Sequence, residues 1–568
     1  MTEEERYKIV SNDYLDLMVE GYENGFVNPF EKYSGYSITR VNDRFGIVHI
    51  QAENLTYDSV QKFGYSLLPK CYGLLSPASL EASGVEQLRK VPGFNLRGQG
   101  VLVGFVDTGI DYLNSAFRYT DQTTRIVSIW DQTIESSNYP PKFFYGTEYK
   151  QNQINRALLV NDPYSIVPSK DEIGHGTMLA GVAAGSEDIA NNFSGAAPDT
   201  EIVVVKLKEA KQNIREFFRI PDGALCFQEN DIMMGIQYLM DVAARLDRPI
   251  AICIGVGTSQ SSHEGESFLC RYINNEGSIV GRSIVVAAGN EGNERHHYYG
   301  EINPSSEFDI IGLNVGSDEK GFSMELWGYA PNIVEVDIYA PTGEFVGRIP
   351  SSFLQRNTLE MVFGQTTLYV DNNINEDITG NQLILFRFFN AVEGVWRLVV
   401  SGTGDLTLRY HIWLPINNFL SSNTYFLNAD SNTTLSAPAN AINSISVTAY
   451  NDANNSLYYY TSRGFTKNNG LKPDVAAPGV NITSPAMSGG YYNYTGSSAA
   501  AAHTTGITAM LLEWGILKGN FTTLNNVILR KMLVSGARRS PTISYPDQAW
   551  GFGILDIYRT FKLFYEED

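Results

Sequence analysis

Cysteine is scarce in this 568-residue chain: Cys71, Cys226, Cys253 and Cys270 are the whole complement, and no two form a C-x-x-C pair. That indicates neither a zinc site nor a disulfide framework, so the four thiols are expected to be buried and reduced. Basic residues are outnumbered, 42 against 62 acidic ones for a net charge of -20, and no Lys/Arg cluster could follow a phosphate backbone. Nucleic acid is therefore not an expected partner. No run of about 18 uninterrupted apolar residues occurs, so no membrane span is expected. The most apolar long stretch, 496–517, holds His503, Thr504, Thr505 and Glu513 and reads as a buried helix. The N-terminal MTEEERYKIV lacks the basic and apolar regions of a secretory signal, from which synthesis without export by that route is expected. Loops with the dense carboxylates of an EF-hand are missing too; no metal or cofactor is indicated, and structural calcium is left open.

What is present is a globular composition, 43% hydrophobic and 18% charged, on a chain long enough for two to four folding units. Four short β-branched runs, VLVGFVD (101–107), EIVVVKLK (201–208), AICIGVG (251–257) and SIVVAAGN (283–290), do not alternate with polar residues. Helix-compatible segments such as HGTMLAGVAAG and ENDIMMGIQYLMDVAARL lie between them, the pattern of an α/β fold whose mainly parallel sheet is buried on both faces. Between about 300 and 433 the texture changes to alternating, aromatic-rich strands (FSMELWGY, IVEVDIYAPTG, QLILFRFF, VWRLVVSG), which predicts an inserted jelly-roll or β-sandwich domain. The first 75 or so residues form a third region, with strands in GYSITRV and FGIVHIQ and a helix in TYDSVQKFG. The expected division is 1–76, 77–303, 304–433 and 434–568, the second and fourth segments making one domain.

Ligands gather beyond the carboxyl ends of strands in such sheets, and Asp107 and Asn290 stand there. Two further stretches concentrate small residues: GHGT around His175, and NYTGSSAAAAHTTG (493–506) around Ser498. A serine needs a base to become a nucleophile, and the base works better when a carboxylate orients it. Singly, each residue has a plain reading: Asp107 as a turn residue, His175 as a packed side chain, the Ser498 stretch as a capped helix. Together, in the order Asp, His, Ser, the chain resembles the subtilisin family. VDTGID, GHGTMLAGVAAG, VVAAGNEG, LKPDVAAPGVNI (471–482) and WGFGILDI (550–557) are each similar to a motif of that family, in its order.

The resemblance implies a three-layer subtilisin-like fold and peptide hydrolysis by Asp107, His175 and Ser498, with Asn290 in the oxyanion hole and Ser497 a bystander. It implies that Gly255, Val256 and Gly257 pair with an extended substrate, and that Ala287, Ala288 and Gly289 wall the first specificity pocket. It makes the N-terminal α+β region a prodomain that assists folding, plugs the active-site cleft and is cut from the chain near Leu74, Leu75, Ser76 and Pro77. The missing signal, LLPKCYGLL (67–75), SSHEG (261–265) and the inserted β-domain are similar in arrangement to the Csp proteases of clostridial spores. That likeness implies a spore location (cortex or coat) and a protein substrate, the precursor of a cortex-lytic hydrolase, activated during germination.

Three rival readings fit the residues less well. A catalytically silent germinant sensor or scaffold would have little reason to keep all four site residues. An aspartic protease needs two carboxylates sharing a proton, and DTG occurs once, at 107–109. A carbohydrate-binding insert would use Trp327, Tyr329, Tyr339, Tyr369, Trp396 and Trp413 as a stacking face, but alternating aromatics in a sandwich are more often core.

Overall fold

The four apolar runs become neighbours in one sheet. A computed structural model describes residues 2–21, 29–75, 96–304, 306–351, 355–361, 364–487 and 489–565. Its nine-stranded sheet runs in the order Ser456–Leu457, Ile445–Asn451, Arg282–Ala287, Ile250–Ile254, Leu102–Asp107, Glu201–Lys206, Ile126–Asp131 and Thr147–Lys150, with Val475–Pro478 pairing off Ile445–Asn451. Pairing is parallel except at the two ends, where Ser456–Leu457 and Thr147–Lys150 run antiparallel to their neighbours.

Each central strand feeds two cores, which is why the runs do not alternate. Val103, Phe105, Val204, Cys253, Val285 and Ala287 face the helices His175–Ala184 and Ser497–Leu512. Leu102, Val106, Val203, Val205, Ile252 and Val286 face the helices Glu229–Leu246 and Phe268–Glu276. Burying a side chain of this size contributes about 1.5–3 kcal/mol relative to leaving it exposed. All four cysteines are free and buried. Among the described residues no helix is long and apolar enough to cross a membrane.

The N-terminal region is a three-stranded antiparallel sheet, Tyr14–Glu20 against Phe45–Gln51 against Ser37–Arg40. The helix Glu3–Val10 begins at a capping box in which Thr2 and Glu5 satisfy each other's backbone N–H groups. The helix expected in TYDSVQKFG is Ser59–Phe63.

The inserted part is two antiparallel sheets that share a core around Met324, Leu326, Val336, Phe386, Phe388 and Trp396. Its first strand, His297–Ile302, starts before residue 304 and pairs with Leu408–Trp413. The three parts meet in a further core containing Leu15, Leu17 and Cys71 from the N-terminal region, Ile214, Phe217 and Phe218 from the α/β part, and Trp327, Leu385 and Trp413 from the insert.

Candidate active site

Asp107 ends the strand Leu102–Asp107, at the carboxyl edge of the sheet. Its Oδ1 accepts the backbone N–H of Thr108 (2.8 Å) and the Nδ1–H of His175 (2.7 Å). His175 opens its helix after Gly174, a left-handed residue at φ 87°. A Cβ at Gly176 would lie 2.1 Å from the carbonyl oxygen of Gly109, so glycine there lets the aspartate and histidine loops touch through their backbones. Ser498 is the second residue of the helix Ser497–Leu512, and its Oγ is 3.1 Å from His175 Nε2. All three side chains are buried.

Asn290, just past the strand Arg282–Ala287, meets the start of the nucleophile's helix. Its Oδ1 accepts the Ser497 N–H at 3.1 Å, which commits the amide oxygen and turns the NH2 group to another acceptor. The Ser498 N–H belongs to the first turn of its helix, where no intrahelical carbonyl is available. A side-chain amide and a helix-start N–H are the kinds of donor an oxyanion requires.

The substrate edge is already occupied by the chain itself. The strand Cys71–Leu74 pairs antiparallel with Val256–Gly257, Leu74 opposite Val256 and Gly73 opposite Gly257, and Leu75 N–H donates to Gly255 O at 3.1 Å. The Leu75 carbonyl oxygen lies 3.2 Å from His175 Nε2. Leu75 is 2% exposed, and a Cβ at Gly257 would lie 2.9 Å from both its Cδ1 and the Cβ of Ser436. Ala287 and Ala288 are buried; the backbone of Ala288 is spent on Val447 and Ser436, and Gly289 O accepts from Ser462. Leu74 and Leu75 are thus beside the triad, while Ser76 and Pro77 lie outside the described residues.

Residues 98–324 and 372–553 match the family described as the Subtilase family. The chain belongs to the subtilases. The match leaves out 325–371, which lies within the inserted sheets. Among solved structures, the Clostridium perfringens CspB protease is similar at 31% identity and TM-score 0.76, over 86% of this chain and 98% of that one. Among curated proteins, the PI-type proteinase of Lactococcus lactis subsp. cremoris is 20% identical over 86% of this chain and 25% of its own length. The C5a peptidase of Streptococcus pyogenes is 22% identical over 76% and 36%. The chain spans well under two thirds of these two curated relatives.

In this subtilase the contacts Asp107–His175–Ser498 are those of a serine peptidase. Burial alone would push the His175 pKa down, but the Asp107 carboxylate and its hydrogen bond raise it above its ordinary 6.5, and the Leu75 carbonyl adds to the rise. A carbonyl can only accept, so the occupied cleft favours the doubly protonated ring.

Two contributors escaped the sequence reading. Asp171 fixes the turn before His175: its Oδ1 accepts Gly174 N–H (2.8 Å), and its Oδ2 accepts the N–H (2.9 Å) and hydroxyl (2.7 Å) of Thr177. An aspartate four residues ahead of the histidine, at the start of a helical stretch, was the available signal. Ser497, a bystander to the nucleophile, still has a structural part: its Oγ accepts the Gly289 N–H at 3.1 Å while its own N–H donates to Asn290 Oδ1. It ties the start of the Ser498 helix to the Gly289–Asn290 segment that follows the strand Arg282–Ala287. Among the described residues no group of three or more His, Cys, Asp or Glu is arranged to hold a metal.

Proposed function

We propose that this subtilase cuts its own chain after Leu75, keeps the N-terminal region in the cleft as a prodomain, and then acts by limited proteolysis on a protein precursor. The observation that carries the proposal is the Leu75 carbonyl at the catalytic base, on a segment added as a strand to the substrate edge. Strand addition supplies backbone affinity, and the pocket that takes Leu75 supplies selectivity. In the reaction Ser498 Oγ attacks the carbonyl carbon while His175 Nε2 takes its proton. Asp107 holds the ring by Nδ1 and steadies its charge, and the proton then goes to the leaving amine. Asn290 and the Ser498 N–H receive the oxyanion.

The likeness to CspB, and through it to the Csp group, supports a place in the spore and, as the substrate, a cortex-lytic hydrolase precursor activated during germination. A second reading follows from the same occupied cleft: a subtilase shell plugged by its own segment serves as a germinant sensor or scaffold without turnover.

Mass spectrometry of the purified chain beside Ser498→Ala separates the two readings. Cleavage is expected to give a fragment ending at Leu75 plus the remainder in the native chain, and one intact species in the variant. If both stay whole under folding conditions, self-cleavage is refuted and the sensor reading takes its place.

A further inference from the structure

The joint between the inserted sheets and the loop behind the substrate edge is built on histidine. His297 and His411 lie on paired strands with rings 5.0 Å apart and 15° between planes, and both stack on Trp413. His263, from the SSHEG loop, also stacks on Trp413, at 4.0 Å and 8°. The three histidines are buried.

Their hydrogen bonds form a line with an odd proton count. The Asp430 carbonyl is 3.1 Å from His297 Nδ1, His297 Nε2 is 2.8 Å from His411 Nδ1, and His411 Nε2 is 3.1 Å from the Tyr329 hydroxyl, which donates to the Lys467 carbonyl at 2.6 Å. Both ends are carbonyl oxygens, which only accept. The four links need four hydrogens. Two neutral imidazoles and one phenol bring three, so the neutral line is one hydrogen short, and one added proton completes it.

The surrounding charges do not supply that hydrogen. Lys467 lies 4.0 Å over the Tyr329 ring and pairs with Glu264 at 2.8 Å. Glu301 pairs with Arg409, and Glu291 with the neighbouring His296. The Asp430 carboxylate accepts the Asn432 N–H, the Tyr299 hydroxyl donates to Glu301, and His263 Nε2 donates to Ser259 O. Among the described residues no carboxylate bonds either imidazole of the line. Burial brings His297 down to about 3, and burial with the nearby histidines and Lys467 lowers His411, so at pH 7 the line is neutral.

We propose that Asp430, His297, His411, Tyr329 and Lys467 form a binding site for one proton, which on acidification is shared between the facing nitrogens of His297 and His411 and closes the fourth link. Closing it adds a bond between the paired strands His297–Ile302 and Leu408–Trp413, at the face of the insert that meets the SSHEG loop through Trp413. A second proton sets N–H against N–H across the 2.8 Å contact and breaks the line. The site responds to acid by first gaining one proton and then opening.

The test is 15N NMR of histidine-labelled full chain through an acid titration, with His297 and His411 assigned by His297→Gln and His411→Gln. One proton per pair, with both rings moving at a common midpoint below pH 6.5, is expected. Tyr329→Phe deletes two links and one hydrogen, leaving two links for two hydrogens, so the neutral line is complete. The midpoint then falls by about one pH unit or more, since the proton gains no new bond to a charged group. An unchanged midpoint in Tyr329→Phe overturns the proposal. So do two rings that titrate independently, or a pair that stays neutral until the protein unfolds. Should Tyr329→Phe fail to fold, the proton count of the native pair decides alone: one supports the site, none or two overturns it.

Discussion

Gly255→Ala is expected to damage catalysis more than folding, and the two effects can be separated. A Cβ on Gly255 would lie 2.8 Å from Leu179 Cδ1, 3.0 Å from His175 Cε1 and 3.2 Å from Asp107 Oδ2. Leu179 presents the end of a flexible side chain and can rotate away. The imidazole cannot, because Nδ1 is bonded to Asp107 at 2.7 Å and Nε2 faces Ser498 at 3.1 Å. Overpacking a tight core by one methyl costs about 1–3 kcal/mol. Moving a catalytic group by a fraction of an ångström costs on the order of 10–100-fold in rate, given that 1 Å costs about 100-fold. The assay pairs urea unfolding with kcat on a chromogenic peptide ending in leucine, for Gly255→Ala alone and with Leu179→Ala. Space opened at Leu179 is expected to relieve the crowding there and leave kcat depressed, because the contact with the imidazole remains. If Gly255→Ala keeps native kcat, or if the second substitution restores it, the imidazole is not held where these distances place it, and the reasoning fails.

Three other outcomes are expected. Activity should fall as pH drops through a midpoint above 6.5, because Asp107 raises the His175 pKa against burial and a protonated ring cannot take the Ser498 proton; a pH–kcat/KM profile with its acid limb well below 6.5 would contradict this. Ser497→Ala leaves the Gly289 N–H without its acceptor and loosens the segment that carries Asn290, at a cost of about 1–3 kcal/mol; kcat should drop while Ser498 still labels with a serine-directed fluorophosphonate. Asp16→Asn strips the buried partner from Lys211 (2.6 Å) and His49 (2.7 Å), a loss of about 3–5 kcal/mol in urea unfolding. Burial opposes the Asp16 charge, but Lys211 and His49 outweigh it and hold its carboxyl well below 3.8. The stability it contributes is therefore present above about 3.8 and is lost as pH falls through the lower folded value.

The triad was legible because each member is announced locally. Asp107 follows an apolar strand, His175 and Ser498 open helices among small residues, and fold and spacing do the rest. The strand Tyr14–Glu20 was not legible: Asp16 interrupts its apolar run, and only the distant Lys211, His49, Gln228 and Asn230 explain a fully buried carboxylate there. The structural part of Ser497 was hidden for a related reason, since its two bonds go to Gly289 and Asn290, more than 200 residues back in the sequence.

The aromatics of the insert show where a sequence pattern stops carrying information. Trp396 does belong to the core between the two inserted sheets. Trp327 and Trp413 belong instead to the core where the three parts of the molecule meet. Alternation tells which residues share a face of a strand; it does not tell what covers that face. QLILFRFF, grouped with the alternating strands in the sequence reading, departs from that pattern: apart from Gln382 and Arg387 it is apolar at every position, unlike a strand covered on one side. In the strand Leu383–Phe389, Ile384, Phe386 and Phe388 fill the sandwich, while Leu383 and Leu385 fill the joint. Arg387, on that second face, is buried in an ion pair with Asp371 and donates to the carbonyl of Tyr57, whose ring stacks on Tyr369 at 3.8 Å. An antiparallel sheet that is apolar on both faces needs a second partner, and here the partner is the body that holds residues 71–75 at the triad. The insert is thereby fixed to the same core that includes Cys71, and a substitution at Leu385 or Trp327 acts on the docking of the N-terminal region as well as on the insert.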